Sequence, residues 1–461
     1  MNGDDVREIF ETVFPQADIE KWADELGVVK RDRKLDVVAL VRALVISAGT
    51  PTGGIQADAL RAYIDYDVKP VARGAFYAWF TESLERLMER ISAHAQAFAL
   101  AQEVDLPGPL AGVTDWRIVD SETVKAARPL ESEFPGCGDY AAIKVHKTFS
   151  VGTGCAISYH FSPAKDHDSP HLTIDESWRG YGLLVDLGYA SHDRLRDCEK
   201  YDVRFVMRLK ENWKAKVESI SRGTVTRTFF AGTDLDVLLQ DEVLRLDGKV
   251  IDAEVTLGAD GETELRLRLV GIPTPKGYCF FLTNLPKRVG PLQVGDIYRI
   301  RWEIELNNKL DKSVNRLDES QAERPCSIKT LLHAAIVGSI LTNLIVHKHS
   351  LETRPKNPGE VRTKPPLHPI LLGRALAQAS LSLAETFELT GSEAKIEWQR
   401  IAGKLVRWGE DPNWRRRPSV LDEMRGWKRR PLPKNGGRTS SGGKRKAEEG
   451  RKASLDADQT A

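Results

Sequence analysis

The sequence has few cysteines, no long unbroken apolar run and almost no net charge, and each shortage excludes something. The five cysteines, Cys137, Cys155, Cys198, Cys279 and Cys326, are scattered over 461 residues. None forms a C-x-x-C pair, so neither a zinc ribbon nor a disulfide framework is encoded, and a reducing, cytoplasmic setting is expected. The longest apolar stretch, residues 331–346, is interrupted by His333, Ser339 and Asn343. It falls short of a bilayer span and reads as a buried helix, so no membrane role is expected. The first residues, MNGDDVREIFETVF, carry early acids and no apolar h-region, which argues against a signal peptide.

Charge is scarce only in sum. The chain carries 67 Lys+Arg against 66 Asp+Glu, a net of +1, which on its face argues against a uniformly basic nucleic-acid coat. From Trp414 onward there are 14 basic residues and six acids, leaving residues 1–413 with 53 basic and 60 acidic groups. The body is acidic and the tail is basic. With its Gly, Ser and Pro, the tail is expected to be disordered at least past Pro433 and to touch DNA backbone without sequence preference.

What is present is a soluble-globular composition, 41% hydrophobic and 29% charged, long enough for several domains. Residues 1–105 show apolar positions at helical spacing over 6–14, 35–46 and 76–98, and a helical N-terminal DNA-binding domain is expected there. From residue 106 to about 350 short β-like runs appear: WRIVD at 116–120, AAIKVHKTFSV at 141–151, CAISYHF at 155–161, LLVDLGY at 183–189 and VRFVMRLK at 203–210. Helix-like segments at 171–180 and 191–199 make this an α/β core. Residues 212–285 read as a β-rich insertion, with LDVLLQDEVLRL among its strands and turn signals at Asp247-Gly248 and Asp260-Gly261. One strong helix over 291–315, an apolar helix over 328–348, a helical region at 351–413 and the basic tail at 414–461 complete the organisation. No internal repeat is apparent.

The sharpest local signal is YRIRWEIELNNKLDK at 298–312. With Tyr298 at zero on one ideal helix, Arg301, Glu305 and Lys312 fall near about −60°, −20° and −40°. A carboxylate between two cations and a phenol suits a metal-bound phosphate, the acid for the cation and the others for phosphate oxygens. The bland alternative is an i,i+4 Arg–Glu pair on a solvated face. Four residue types at fixed spacing, Y-x2-R-x3-E-x6-K, arise by chance in a chain this long on the order of 10⁻³ to 10⁻² of the time.

This stripe resembles the YREK signature of the DDE transposases of the insertion-sequence-four family. The resemblance implies an RNase H-like catalytic core carrying a β-rich insertion and flanked by helical regions. It makes Glu305 the third catalytic acid and places the first two at the ends of the first and fourth strands. Asp120 in WRIVDSETV and Asp186 in GLLVDLGYAS occupy those places, the latter with the family's D-x-G-Y pattern through Gly188 and Tyr189. Ser121-Glu122 departs from the small Gly-containing turn that is more usual after the first acid; Glu122 either perturbs the site or points outward.

The resemblance further implies that Asp120, Asp186 and Glu305 bind two Mg²⁺ ions, with Mn²⁺ as a substitute, in two-metal phosphoryl transfer. Tyr298, Arg301 and Lys312 would contact DNA. The implied partners are double-stranded DNA, as terminal inverted repeats and target, and a second copy of the chain in a synaptic dimer. The implied location is cytoplasmic, nucleoid-associated and bacterial. Two alternatives stay open: an RNase H-like nuclease without strand transfer, and an inactive transposase-derived DNA-binding protein.

Other residues rank lower. His160, His167 and His171 in HFSPAKDHDSPH lie in a loop-like, proline-containing setting and read as solvated histidines rather than a metal site. Trp302 falls on the apolar side of its helix and reads as core. Lys30, Arg31, Arg33 and Lys34 form a basic cluster that is either a solvated turn or a contact to the terminal repeats.

Overall fold

The computed structural model describes residues 1–29, 35–47, 55–66, 68, 70–222, 225–228, 231–240, 249–258, 264–317, 322–355, 357 and 360–428. The basic cluster at 30–34, the turn signals at 247–248 and 260–261, and the tail past Lys428 lie outside the described residues.

The N-terminal region forms α1 (Gly3–Val13), α2 (Gln16–Glu25), α3 (Val37–Ile46), α4 (Ile55–Ile64), α5 (Arg73–Ala78) and α6 (Glu82–Leu100). The pattern over 76–98 predicts one helix. The chain instead breaks at 79–81, where the Thr81 hydroxyl caps α6 by accepting from the Leu84 amide at 3.4 Å.

Next come β1 (Trp116–Lys125), β2 (Ala142–Ser150), β3 (Ala156–Pro163), β4 (Gly182–Val185), α7 (His192–Lys200) and β5 (Arg204–Arg208). The helix expected over 171–180 is absent. Its place is taken by two 3₁₀ turns, Ser169–His171 and Glu176–Trp178. The physical reason is the buried Arg194 of α7, whose guanidinium holds the Ser169 carbonyl before the segment and takes the Leu172 carbonyl that a helix would need.

The following segment supplies β6 (Ala215–Arg222), β7 (Val225–Arg227), β8 (Thr233–Asp234), α8 (Leu235–Leu239), β9 (Ile251–Leu257), β10 (Leu265–Thr274) and β11 (Gly277–Thr283). Leu235–Leu239, read as strand, is a short helix because Leu235 and Leu238, three apart, are both buried while Val237 is exposed.

All these strands join one sheet in the order β3-β2-β1-β4-β5-β11-β10-β9-β6-β7, with β8 on β6. β2 is antiparallel to both β1 and β3, whereas β1, β4 and β5 run parallel. That order and sense is an RNase H-like core. The extra strands extend the core sheet through antiparallel pairing of β11 with β5.

The chain ends with α9 (Pro291–Arg299), α10 (Trp302–Ser313), α11 (Pro325–Glu352), α12 (Pro369–Gln378), α13 (Ser380–Phe387), α14 (Gly391–Gly409) and α15 (Val420–Met424). By length and apolarity the 28-residue α11 could cross a membrane, which exceeds the expectation from 331–346, but 94% of its apolar window is buried inside the protein. It packs against α1, α3, α6, α10 and α12. The N-terminal helices, α11 and the C-terminal helices share a single apolar core. The start of the basic tail is folded as well. Trp427 is buried and its indole donates to the Lys364 carbonyl at 2.8 Å, while Arg425 donates to the Val151 carbonyl at 3.1 Å.

Side chains alternate across the sheet, as strand geometry requires. Trp116 and Ile118 of β1 pack with Val294, Ile297 and Ile304 on one face, and Val119 packs with Leu195 and Cys198 of α7 on the other. Gly182 permits this: a Cβ there would lie 2.4 Å from the Trp116 ring. The two helical layers thereby settle how the loops beyond β1 and β4 sit.

Candidate active site

β1 and β4 are parallel neighbours with Val119 opposite Val185. The next residues, Asp120 and Asp186, therefore stand side by side. β4 ends at Val185, and Asp186 precedes the 3₁₀ turn Leu187–Tyr189, as expected for an acid beyond a strand. β1 does not end at Asp120. It runs on to Lys125 because β2 pairs with it along its length, setting Asp120 opposite Lys147 and Glu122 opposite Val145.

The helix expected over 291–315 is two helices. At the join, the Ile300, Arg301 and Glu303 amides bond carbonyls three residues back, at 3.2, 3.0 and 2.8 Å, so the backbone tightens to 3₁₀. The join changes the phase of the stripe without dispersing it. Ile300, Ile304, Leu310 and Val314 remain buried, whereas Trp302, expected in the core, is 61% exposed. Tyr298 packs on Phe281 with ring centroids 5.0 Å apart. The Arg301 guanidinium donates to Glu305 at 3.1 Å. Lys312 lies 3.9 Å from Glu122.

Electrostatics tie this helix pair to the strand acids. Burial pushes the Asp120 carboxyl up to about 6, and the nearby carboxylates of Glu305 and Asp186 add to the rise. The Ser121 amide and Arg301 oppose it. Burial disfavours the charge on Arg301, but Tyr298, Asp186, Asp120 and Glu305 together outweigh it and raise its pKa. Burial also raises the Tyr298 phenol. The three acids thus converge where β1, β4 and α10 meet, with Arg301 among them.

A buried polar network beneath α10 adds residues that the motif does not contain. Lys147 of β2, with its side chain 1% exposed, forms ion pairs with Glu122 and Asp311 and donates to Asn308 at 3.3 Å. Asn308 in turn donates to Asp120 at 3.1 Å. Asp311 accepts from Asn307 at 3.0 Å and from Ser339, and Asn343 donates to Asn307 at 2.8 Å. Glu122, the unusual residue after the first acid, therefore points inward and is paired. One signal for the network was present in the sequence: Ser339 and Asn343 are two of the three interruptions in the apolar run of α11.

The expectation of solvated histidines holds for the exposed His167 and His160 but not for the half-buried His171. His160 and His171 join His146 of β2, which the sequence reading passed over. Their ligand atoms all lie within 4.8 Å of one another. His146 stands directly opposite His160 in the β2–β3 pairing, a relation that linear spacing does not reveal.

Comparison with known proteins fits this geometry. The family model described as transposase DDE domain matches residues 112–340, a span that contains Asp120, Asp186 and Glu305. The transposase for insertion sequence element IS231C of Bacillus thuringiensis subsp. berliner is 22% identical over 382 residues, covering 72% of this chain and 80% of that protein. The transposase for insertion sequence element IS1151 of Clostridium perfringens is 20% identical over 270 residues, covering 50% of this chain and 57% of its own length. A piggyBac transposase, solved by cryo-EM as a synaptic complex with hairpin DNA, is 12% identical with a TM-score of 0.46, covering 96% of this chain and 89% of its own, a likeness too loose to carry detail. By the matched domain and these sequence relatives, the chain belongs to the DDE transposases of the insertion-sequence-four family.

Proposed function

We propose that this transposase cuts DNA at the ends of its insertion element and joins the freed 3′ ends to target DNA, using Asp120, Asp186 and Glu305 as ligands for Mg²⁺. The observation that carries the reading is the convergence of three carboxylates on one point, where burial first and the neighbouring acids second push Asp120 up to about 6. Three hard oxygen donors answered by the single guanidinium of Arg301 are a donor set a small divalent cation fits. When bound, such ions neutralise charge on the scissile phosphate and favour ionisation of the attacking water or 3′-hydroxyl.

The chain's own groups then have distinct tasks. Asn308 orients Asp120 through its 3.1 Å hydrogen bond, and Lys147 holds Asn308. Arg301 fixes the Glu305 carboxylate at 3.1 Å and keeps further N–H groups for a phosphate oxygen. Tyr298 and Lys312 complete a donor row for the strand that flanks the cut. Lys312 is only partly buried and held loosely by Glu122 at 3.9 Å, so its ammonium is free to turn toward DNA. The helical region 1–105 contacts the terminal repeats, and two copies bring two ends together.

The test is cleavage and strand transfer by the purified full chain on a labelled duplex carrying its element's terminal repeats, with Mg²⁺ against Ca²⁺. Cut ends and joined products with Mg²⁺ support the reading. Cutting without joining would assign a nuclease, and end binding without cutting would assign an inactive DNA-binding protein.

A further inference from the structure

The geometry points to a second ion site, on the opposite face of the β1–β2 pair from the three acids, where His146, His160 and His171 bind a Zn²⁺-type transition-metal ion. His146 is 2% exposed, and the three rings form a triangle, with centroids 4.7 Å from His146 to His160, 3.9 Å from His146 to His171 and 5.0 Å from His160 to His171. His146 is assigned the tautomer protonated at Nε2, donating to the Ser162 oxygen at 2.9 Å while that hydroxyl turns to the Pro163 carbonyl at 3.2 Å. Nδ1 is then an unprotonated lone pair, buried and without a hydrogen-bond partner. A histidine whose far nitrogen is anchored and whose near nitrogen is bare is arranged as metal-binding histidines are.

The other two rings meet this lone pair. His160 Nε2 and His171 Nδ1 are 2.9 Å apart and share one proton. An ion at 2.0–2.1 Å from each nitrogen sets neighbouring nitrogens about 3.4 Å apart in tetrahedral geometry. Ligand atoms already within 4.8 Å reach that spacing by side-chain rotation alone. The proton between His160 and His171 moves to an outer ring nitrogen by tautomer change, so three neutral imidazoles face the ion. Burial and the two neighbouring rings push His146 down to about 3, which keeps it neutral and ready to ligate. His160 is exposed, leaving the fourth position open to solvent.

The scaffold is held firmly. His171 ends a 3₁₀ turn whose Ser169 carbonyl accepts from Arg194 at 2.7 Å, and Arg194 also bonds the Tyr189 carbonyl beyond Asp186. Asp168, three residues before His171, accepts from Ser121 at 2.7 Å and from Lys144 at 3.0 Å. An ion here would clamp the 163–178 segment onto β2 and β3, next to Ser121 of β1 and the turn that follows Asp186. Imidazole donors select Zn²⁺, Co²⁺ or Ni²⁺ over Mg²⁺.

The test uses the full chain with Asp120→Asn and Glu305→Gln, so that the oxygen site does not compete, titrated with Co²⁺ and followed by visible absorption. One equivalent should give the intense bands of tetrahedral Co²⁺, displaced by one equivalent of Zn²⁺ and unaffected by Mg²⁺. His160→Gln and His171→Gln, both at accessible positions, should each weaken binding by at least about tenfold. Zn²⁺ should raise the melting temperature of the parent and of neither variant. A weak octahedral spectrum, or full affinity in either histidine variant, overturns the site. Circular dichroism of the variants separates loss of a ligand from loss of fold.

Discussion

The two sides of the β1–β2 pair are a few ångströms apart and chemically opposed. On one side Asp120 and Lys147 stand opposite each other, and on the other Ser121 and His146 do so one residue along. The first side gathers carboxylates and answers them with Arg301, Lys147 and Asn308; the second gathers imidazoles and leaves the His146 Nδ1 without a partner. Strand alternation alone separates them. The lesson is that donor chemistry is set residue by residue, and that one strand pair can present hard donors to one helix layer and borderline donors to the other.

The largest effect that would break this comparison is catalytic. Asp120→Asn or Glu305→Gln should reduce cleavage by on the order of 10³-fold or more, with end binding near normal in a gel-shift assay. His160→Gln should leave Mg²⁺-dependent cleavage within a few fold. Equal losses from both kinds of variant would mean that the two faces form one site.

Next is the cation that the acid side depends on. Lys147→Met strands Glu122 and Asp311 without their shared partner and should cost about 3–5 kcal/mol in denaturant unfolding. A loss below 1 kcal/mol would show that Lys147 is not needed to hold that side together. A smaller effect separates bare histidines from partnered ones. His333, bonded to Tyr159, and His347, 2.8 Å from the Glu103 carbonyl, are buried and pushed down to about 3 and about 4. The folded chain keeps both neutral while the unfolded chain takes up protons near 6.5. Their contribution is therefore complete above that pH and lost as pH falls from 6.5 toward 4. His347→Gln should flatten that slope by up to about 1.4 kcal/mol per pH unit. The smallest effect is positional: Asn308→Ala should lower the cleavage rate about tenfold with unchanged DNA affinity, and equal loss of both would assign Asn308 to DNA contact instead.

Some of this was legible in the sequence because the informative residues are local. An apolar run followed by an acid puts Asp186 beyond β4, and the spacing of Tyr298, Arg301, Glu305 and Lys312 survives the break in the helix because the break is a tightening of a few residues. Trp302 was misread for the same reason, since that local change of phase turns it outward. The span of β1 past Asp120, the inward turn of Glu122 and the meeting of His146 with His160 depend on β2, which linear spacing does not encode. Arg194 likewise replaces an expected helix with turns through contacts made 22 and 25 residues away.

The shared core of the two helical ends has a consequence for biosynthesis. α1 packs on α14, and Gly3 lies so close that a Cβ would sit 2.5 Å from the Gln399 amide nitrogen. α11, which buries the apolar faces of α1, α3 and α6, is made more than two hundred residues after them. During translation at roughly 5–20 residues per second, the first hundred residues emerge long before their packing partners. The N-terminal helices can pack on one another at once, but the faces that α11 covers stay open until residue 352 has left the ribosome. A message truncated before α14 yields a polypeptide in which α1 keeps α6 and α11 but lacks the third helix it packs on, so the N-terminal core closes fully only once α14 has been made.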